Sequence, residues 1–381
     1  MLDELGCYDS PPTLPRMLHL AYPQDLKKEH AVRFAKDIAD RLSQLTRRNI
    51  HVAEPIVYET VEEAIETLAD RNAQIVLFVL NDDPAAYHKA TYNQKWHVKR
   101  VTQTSLLKHI EYISTSYDRW ASYITMNALG IVQLYNAVPY ALSSVGQYEA
   151  QLIIDVGHDR RHFALSLLIA RTSGVPHFRL FTEVLIKPDP QHDTINPIIL
   201  SDAIVALFRR VLGKGSDALN SLLVLRDGEF RILKEGITKL SEEDGVQNAV
   251  KVLKTENILS QDAFVHLTDY RKSTNRTVRF WMVDDDNRIH NPLEGTGIVI
   301  NSHYVSIATT GAATLTQGTA HPVVVTANGY CPDIKEAARS VFHGAQINWA
   351  SPKVAQRHPQ PVRAADEKLQ AREAQEIRRT G

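Results

Sequence analysis

Three aspartates sit where a carboxylate needs a physical reason. Asp155 interrupts the apolar run QLIIDVGHD, where an unpaired charge is costly, so it calls for a metal, a hydrogen-bond network or exposure at a strand end. Asp227 closes the apolar run SLLVLRD and precedes Gly228, a pair that on its own reads as a turn. Asp366, in HPQPVRAADEKL, reads on its own as an acid near a helix N-terminus, favoured by the helix dipole. Carboxylates are hard oxygen donors, of the kind that magnesium or manganese takes.

Cations beside aromatics suggest a second chemistry. KWHVKR (95–100) interleaves cations with an indole, which suits phosphate contact plus base stacking, the alternative being a solvated helix face. Arg271, Lys272, Arg276 and Arg279 form a basic segment with Phe280 and Trp281 that fits tracking of a nucleic-acid backbone by charge, or a solvated hairpin. His158, Arg160 and Arg161 follow Asp155 in a tight turn and fall near the same place, as backbone contacts or as strand caps.

These residues need elements to hold them. MLHLAYP from Met17 reads as a strand, and Asp25 to Leu45 as a helix with Ala31, Phe34, Ala35, Ile38, Leu42 and Leu45 on one face. Helical periodicity returns over Thr60 to Leu68, and IVLFVL at Ile75 to Leu80 is a continuous apolar run closed by NDDP, the pattern of a buried parallel strand. Alternating strands and helices over the first 145 or so residues predict a small doubly wound α/β domain, with its ligand site beyond the strand carboxyl ends.

After a Ser-Ser-Val-Gly break, QLIIDVGHD, HFALSLLIAR and FRLFTEVLIK read as three successive strands, followed by a helix from Ile198 to Leu212 and the strand SLLVLRDG. Strands first and alternation later is the order of a ribonuclease H-like sheet. FVHLTDY, RTVRFWMV, GIVI, YVSIAT and PVVVTA read as further strands, Asp333 to His343 as a helix, and the chain from Ala364 as a charged helical tail.

Composition narrows the classes. A length of 381 residues favours two domains, and 44% hydrophobic with 23% charged residues is the balance of a folded globular chain. No apolar run reaches the roughly 18 to 20 residues of a membrane span, and Met1 to Pro15 has no signal pattern, so the expected location is the cytoplasm and no membrane partner is expected. Cys7 and Cys331 lie far apart without a CxxC pattern, which suggests neither a disulfide framework nor a zinc site. A formal net charge of −1 carries no global basic balance, so any nucleic-acid site must be built locally.

Taken in order, the motifs after residue 150 resemble those of the PIWI domain of Argonaute proteins. LIIDVGHD (152–159) resembles the first PIWI strand, with an aspartate in an Asp-Val-x-His context, and VLRDGEF (224–230) the second. VHLTDYRKSTNRTVRFW resembles the family's basic strand pair, PLEGTG its Pro-x-x-Gly-Thr turn, and LTQGTAHPVVVT the segment leading into the final helices. HPQPVRAADEKL resembles the motif in which the last catalytic ligand sits at the start of a helix. The first half resembles the MID domain through IVLFVL, YHKATYNQKWHVKRVTQ and MNALGIVQLYNAVPY.

The resemblance implies a short prokaryotic Argonaute: an α/β chain with a Rossmann-like MID domain at 1–148 and a ribonuclease H-like PIWI domain at 149–381, without N and PAZ domains. It assigns catalytic, metal-ligating roles to Asp155, Asp227 and Asp366, with magnesium or manganese as the divalent cation, since such a site clamps phosphodiester oxygens between two ions. The family's fourth carboxylate is a glutamate on the loop before the helix that precedes the Arg-Asp-Gly strand, and KPDPQHDTINPIIL contains none. Pro197 takes that place in one alignment, Asp193 is the nearest acid in a slightly shifted one, and Glu183 lies too far back. Aspartate is one methylene shorter than glutamate, and a misplacement of about 1 Å costs on the order of a hundredfold in rate, so weak or absent cleavage is expected.

In the MID part the family grips the guide 5′ end with a Tyr, a Lys, a Gln and further lysines. The matching positions are Tyr92, Lys95 and Gln103, with Lys99 and Arg100 beside them. Gly130 and Leu134 stand where later lysines of the motif are expected, leaving Lys108 or other cations to supply that charge. The expected activity is guide-directed binding of a complementary strand, with guide and target each RNA or DNA, in prokaryotic defence with a partner protein carrying an APAZ region and an effector. The alternative is a metal-dependent guided endonuclease using Asp155, Asp227, Asp366 and Asp193. The tail AREAQEIRRTG reads as a partner-binding helix or a disordered end.

Overall fold

The computed structural model describes residues 7–8, 14–90, 96–135, 137–142, 146–171, 177–188, 190, 192–213, 217–235, 238–271, 280–310, 322–327, 333–349 and 356–380. They form two compact units, Met1–Ala141 with Trp349–Ser351, and Leu142–Asn348 with Pro352–Gly381. No helix among the described residues is long and apolar enough to cross a membrane.

The first unit runs β1 (Met17–Pro23), α1 (Lys28–Thr46), β2 (His51–Val52), β3 (Ile56–Tyr58), α2 (Val61–Asp70), β4 (Ile75–Leu80), α3 (Pro84–Lys89), β5 (His97–Thr102), α4 (Gln103–Ile110), α5 (Tyr112–Thr115) and α6 (Tyr117–Leu134). Its sheet is parallel in the order β2-β1-β4-β5, with β3 also pairing β1. Every residue of β4 is buried, as a strand with helices on both faces requires, which is why IVLFVL shows no alternation. The apolar spacing of α1 buries Phe34, Ile38 and Leu42 against the sheet, and the Trp120 indole N–H of α6 donates to Asp37 at 2.8 Å. Tyr123 stacks on Phe34 at 5.6 Å and on His109 at 3.8 Å between ring centroids, tying α1, α4 and α6 together.

The second unit runs β6 (Ala150–Val156), β7 (His162–Arg171), β8 (His177–Ile186), α7 (Pro197–Leu212), β9 (Leu219–Asp227), β10 (Ile232–Glu235), β11 (Thr238–Ser241), α8 (Glu242–Thr255) and β12 (Leu259–Arg271). It continues through β13 (Met282–Val283), β14 (Ile289–His290), β15 (Gly297–Asn301), β16 (Tyr304–Ile307), β17 (Val323–Ala327), α9 (Ile334–Gln346) and α10 (Gln360–Thr380). Eight strands make one mixed sheet in the order β15-β16-β17-β12-β9-β6-β7-β8. Its centre, β12-β9-β6, is parallel, and the strands on either side are antiparallel.

The two faces of this sheet follow from the period of two along each strand. Leu152 and Ile154 of β6 and Leu222 and Val224 of β9 pack under α7 and α8, with Ile204, Phe208, Val246 and Leu253. Ile153 of β6 and Leu223 and Leu225 of β9 face the other way, against Val341 of α9 and Val362, Ala365 and Leu369 of α10. A Cβ at Gly245 would lie 2.6 Å from the Pro197 carbonyl oxygen, so only glycine allows α8 to approach the first turn of α7 this closely. Of the run RTVRFWMV, only Met282 and Val283 belong to a described strand, and 276–279 lie outside the described residues.

Candidate functional site

Continuing the alternation past Ile153 and Leu225 places Asp155 and Asp227 on the α10 face of adjacent strands, and β6 and β9 are in parallel register there, Ile154 beside Arg226. α10 supplies the third carboxylate: its buried stripe Val362, Ala365, Leu369 follows helical spacing, and Asp366 borders it. One carboxylate oxygen from each of Asp155, Asp227 and Asp366 lies within 4.8 Å of the others, with Asp155 buried at 7% exposure. Oxygens on opposite sides of an octahedral magnesium are about 4.2 Å apart, so three such donors fit a hard divalent cation with small adjustments. Asp366 lies in the second turn of α10, which begins at Gln360.

Tyr270, fully buried on β12, borders this centre and donates or accepts a 2.7 Å hydrogen bond with His358 Nδ1. Burial pushes its phenol well above the ordinary value, and the charges of Asp227 and Asp366 push in the same direction. It is a neutral phenol at physiological pH.

Arg226 points away from Asp227, to the opposite face of the sheet, where its Nε donates to Glu242 Oε2 at 3.0 Å. Both side chains are buried, and Glu242 also accepts from the backbone N–H groups of Ile195 at 2.8 Å and Arg231 at 3.1 Å. The Arg226 guanidinium further donates to the carbonyls of Asp227 and, at 3.4 Å, Asp193. From the other side the buried Lys187 ammonium donates to the carbonyls of His192 and Thr194. The main chain around Asp193 is thus pinned to the end of β9.

The Asp193 side chain is not part of the three-aspartate group. Its Oδ1 meets Arg160 Nε at 2.7 Å and its Oδ2 meets Arg231 Nη2 at 3.4 Å. Asp193, Arg160, Arg231, His158 and Asp227 line one pocket of about 250 Å³. In the β6–β7 turn, Asp159 is more acidic than usual. Burial opposes this, but hydrogen bonds from the His162 ring at 2.7 Å and from the Arg161 and His162 backbone outweigh it.

In the first unit, Gln103 opens α4 beyond the carboxyl end of β5, and its amide donates to Asp25 at 3.4 Å. Lys99 and Arg100 fall on opposite faces of the sheet: Lys99 pairs with Leu77, which packs with α1 and α6, and Arg100 pairs with Phe78, which packs with α2. A Cβ at Gly130 of α6 would meet the Lys99 ammonium at 2.8 Å, so glycine leaves the room that this ammonium occupies. Burial, then the nearby Arg100 charge, lowers the Lys99 pKa. Tyr92 and Lys95 lie outside the described residues, as do Lys272, Arg276 and Arg279. Arg271 ends β12 and pairs with Glu229.

Arg226, Glu242, Lys187 and Arg231 were not singled out from sequence. One signal for them exists: if Asp227 faces one side of the sheet, Arg226 must face the other and needs a buried acid.

No family model and no curated protein matches the sequence. Among solved structures the chain's neighbours are Argonaute proteins. Clostridium butyricum Argonaute bound to a guide DNA and a 19-mer target DNA matches at TM-score 0.73 and 15% identity, over 97% of this chain and 49% of that one. A. aeolicus Argonaute matches at TM-score 0.63 and 15% identity, over 96% of this chain and 49% of that one. Aa-Ago with externally bound siRNA gives 0.60 and 15%, over 93% and 48%. The chain spans about half the length of the structures it matches. At this identity the likeness is one of fold: the expected mixed α/β architecture holds, with a parallel-sheet unit followed by a ribonuclease H-like sheet, as in the MID and PIWI domains of these neighbours.

Proposed function

We propose that this chain is a short Argonaute that holds a guide strand and uses it to retain a complementary RNA or DNA strand, with cleavage weak or absent. The first unit takes the guide 5′ end through Gln103 and Lys99 together with Tyr92 and Lys95, while Arg100, on the opposite face of the sheet, stands apart from this grip. The second carries the guide–target duplex, with Arg271, Lys272, Arg276 and Arg279 on its backbone. The observation that carries the reading is the fold shared over 97% of the chain with an Argonaute described as bound to guide and target DNA.

Asp155, Asp227 and Asp366 are the residues that would hold magnesium or manganese, and a bound ion would supply charge stabilisation at a phosphodiester. The position of Asp193 supports binding over cleavage, because the nearest candidate for a fourth carboxylate lies outside the three-aspartate group. The biological role follows from the reading: prokaryotic defence in the cytoplasm, with target recognition relayed to a partner carrying an APAZ region and an effector.

The convergence of three carboxylates favours a second reading, a metal-dependent guided endonuclease. A labelled target, incubated with guide-loaded protein and manganese, separates the two. Retention without a cut supports the first; a cut that is lost in Asp155→Ala supports the second.

A further inference from the structure

The Asp193 side chain and its main chain are held in different ways. The main chain is fixed by buried groups, Arg226 and Lys187 donating to carbonyls at 193, 192 and 194, and Glu242 accepting from the N–H of Ile195. Among the described residues, the carboxylate is held by Arg160 and Arg231, whose side chains are 53% and 50% exposed. Ion pairs this open to water are weak, so a rotation about the Asp193 side-chain bonds breaks them at little cost while the loop stays in place.

Of the other charged groups lining the pocket, Arg226 is buried against Glu242, Glu229 is an anion beside Arg271, and Asp227 belongs to the three-aspartate centre. Arg160 and Arg231 are therefore the exchangeable guanidinium groups among the described lining residues. They come from opposite sides, the β6–β7 turn and the segment after β9, and each takes one oxygen of the same carboxylate. Arg160 is set at the turn by a left-handed backbone, φ +57°. A phosphodiester carries the same single negative charge as that carboxylate and offers two unesterified oxygens. Guanidinium groups bind such oxygens through charge-assisted hydrogen bonds. Asp227 lines the same pocket, so a phosphate there would lie beside the three-aspartate centre.

We propose that Arg160 and Arg231 form a subsite for one phosphodiester of a nucleic-acid strand passing the three-aspartate centre, and that Asp193 is an internal anion occupying it until the strand displaces it. This rests on the nucleic-acid reading above and adds a regulation of that site: Asp193 competes with the ligand rather than assisting it.

The test is fluorescence anisotropy of the full chain with fluorescein-labelled DNA and RNA oligonucleotides, single-stranded and annealed, over a range of sodium chloride. Asp193→Asn keeps the shape and removes the charge, and is expected to tighten binding by about threefold to tenfold. Arg160→Ala and Arg231→Ala are each expected to weaken it and to flatten the slope of log affinity against log salt by about one. In the Arg160→Ala/Arg231→Ala background, Asp193→Asn is expected to give no gain. Asp193→Ser serves if the asparagine variant does not fold. Unchanged or weaker binding by a folded Asp193 variant overturns the proposal, as does a gain that survives loss of both arginines. If wild type binds no oligonucleotide, this proposal and the guide-binding reading fall together; if wild type binds and the variants fail, only this proposal falls.

Discussion

Arg226 and Glu242 meet at 3.0 Å with side chains 3% and 0% exposed, and together they fix the loop at 193–195 to the strand that ends in Asp227. One strand thus serves two tasks through its alternation. Asp227 faces α10 and the other aspartates, while the preceding residue turns to the opposite face and anchors the neighbouring loop.

Breaking that pair strands a buried charge. Glu242→Gln is expected to cost about 3–5 kcal/mol of stability, read as a lower urea midpoint of the full chain. Replacing both partners with apolar residues, Arg226→Met with Glu242→Leu, is expected to recover most of the loss; failure to recover would mean that the hydrogen bonds to the 193–195 backbone dominate.

The three-aspartate centre is expected to bind manganese. At a hundredfold excess over Kd, a ligand that binds only the folded state adds about 2.7 kcal/mol, so manganese should raise the thermal midpoint of wild type. Asp155→Asn should abolish that rise while leaving the metal-free protein at least as stable, since it removes one of three mutually repelling charges.

Lys99 gives guide binding a pH signature. Its pKa is lowered by burial, so the free protein loses this charge at a lower pH than an ordinary lysine does. A bound 5′ phosphate favours the charged form, so affinity is expected to fall as pH rises through that lowered value, below the ordinary lysine value of about 10.4. Lys99→Arg keeps its charge over this range and should flatten the profile.

Asp159 acts at the acid end. Its folded-state pKa is depressed by hydrogen bonds from His162 and the turn backbone, so its contribution is complete above the unfolded value of about 3.9 and is lost as pH falls through the folded value. Asp159→Asn is expected to lower stability at neutral pH and to flatten the acid limb of a stability–pH curve below about pH 4.

Elements of both units were readable because their signals are local. IVLFVL announces a buried parallel strand by its own composition, and the face of α1 by its own spacing. Asp155 and Asp227 stand out because each breaks or ends an apolar run. Their companions depend on pairings that no local pattern encodes: Arg226 with Glu242 across 16 positions, and Asp193 with Arg160 across 33. Lys99 and Arg100 read as one cationic patch in the sequence, but a strand sends neighbours to opposite faces, and the space for the Lys99 ammonium comes from Gly130 on a distant helix.

Guide holding is tested most directly on protein purified from its own host. The bound nucleic acid is sequenced, and the loaded protein is then offered labelled complementary and unrelated strands with manganese. The account predicts short guides with a uniform 5′ end, and retention of the complementary strand alone, uncut or nearly so. Fragments of random length and end, retained without regard to complementarity, would contradict it.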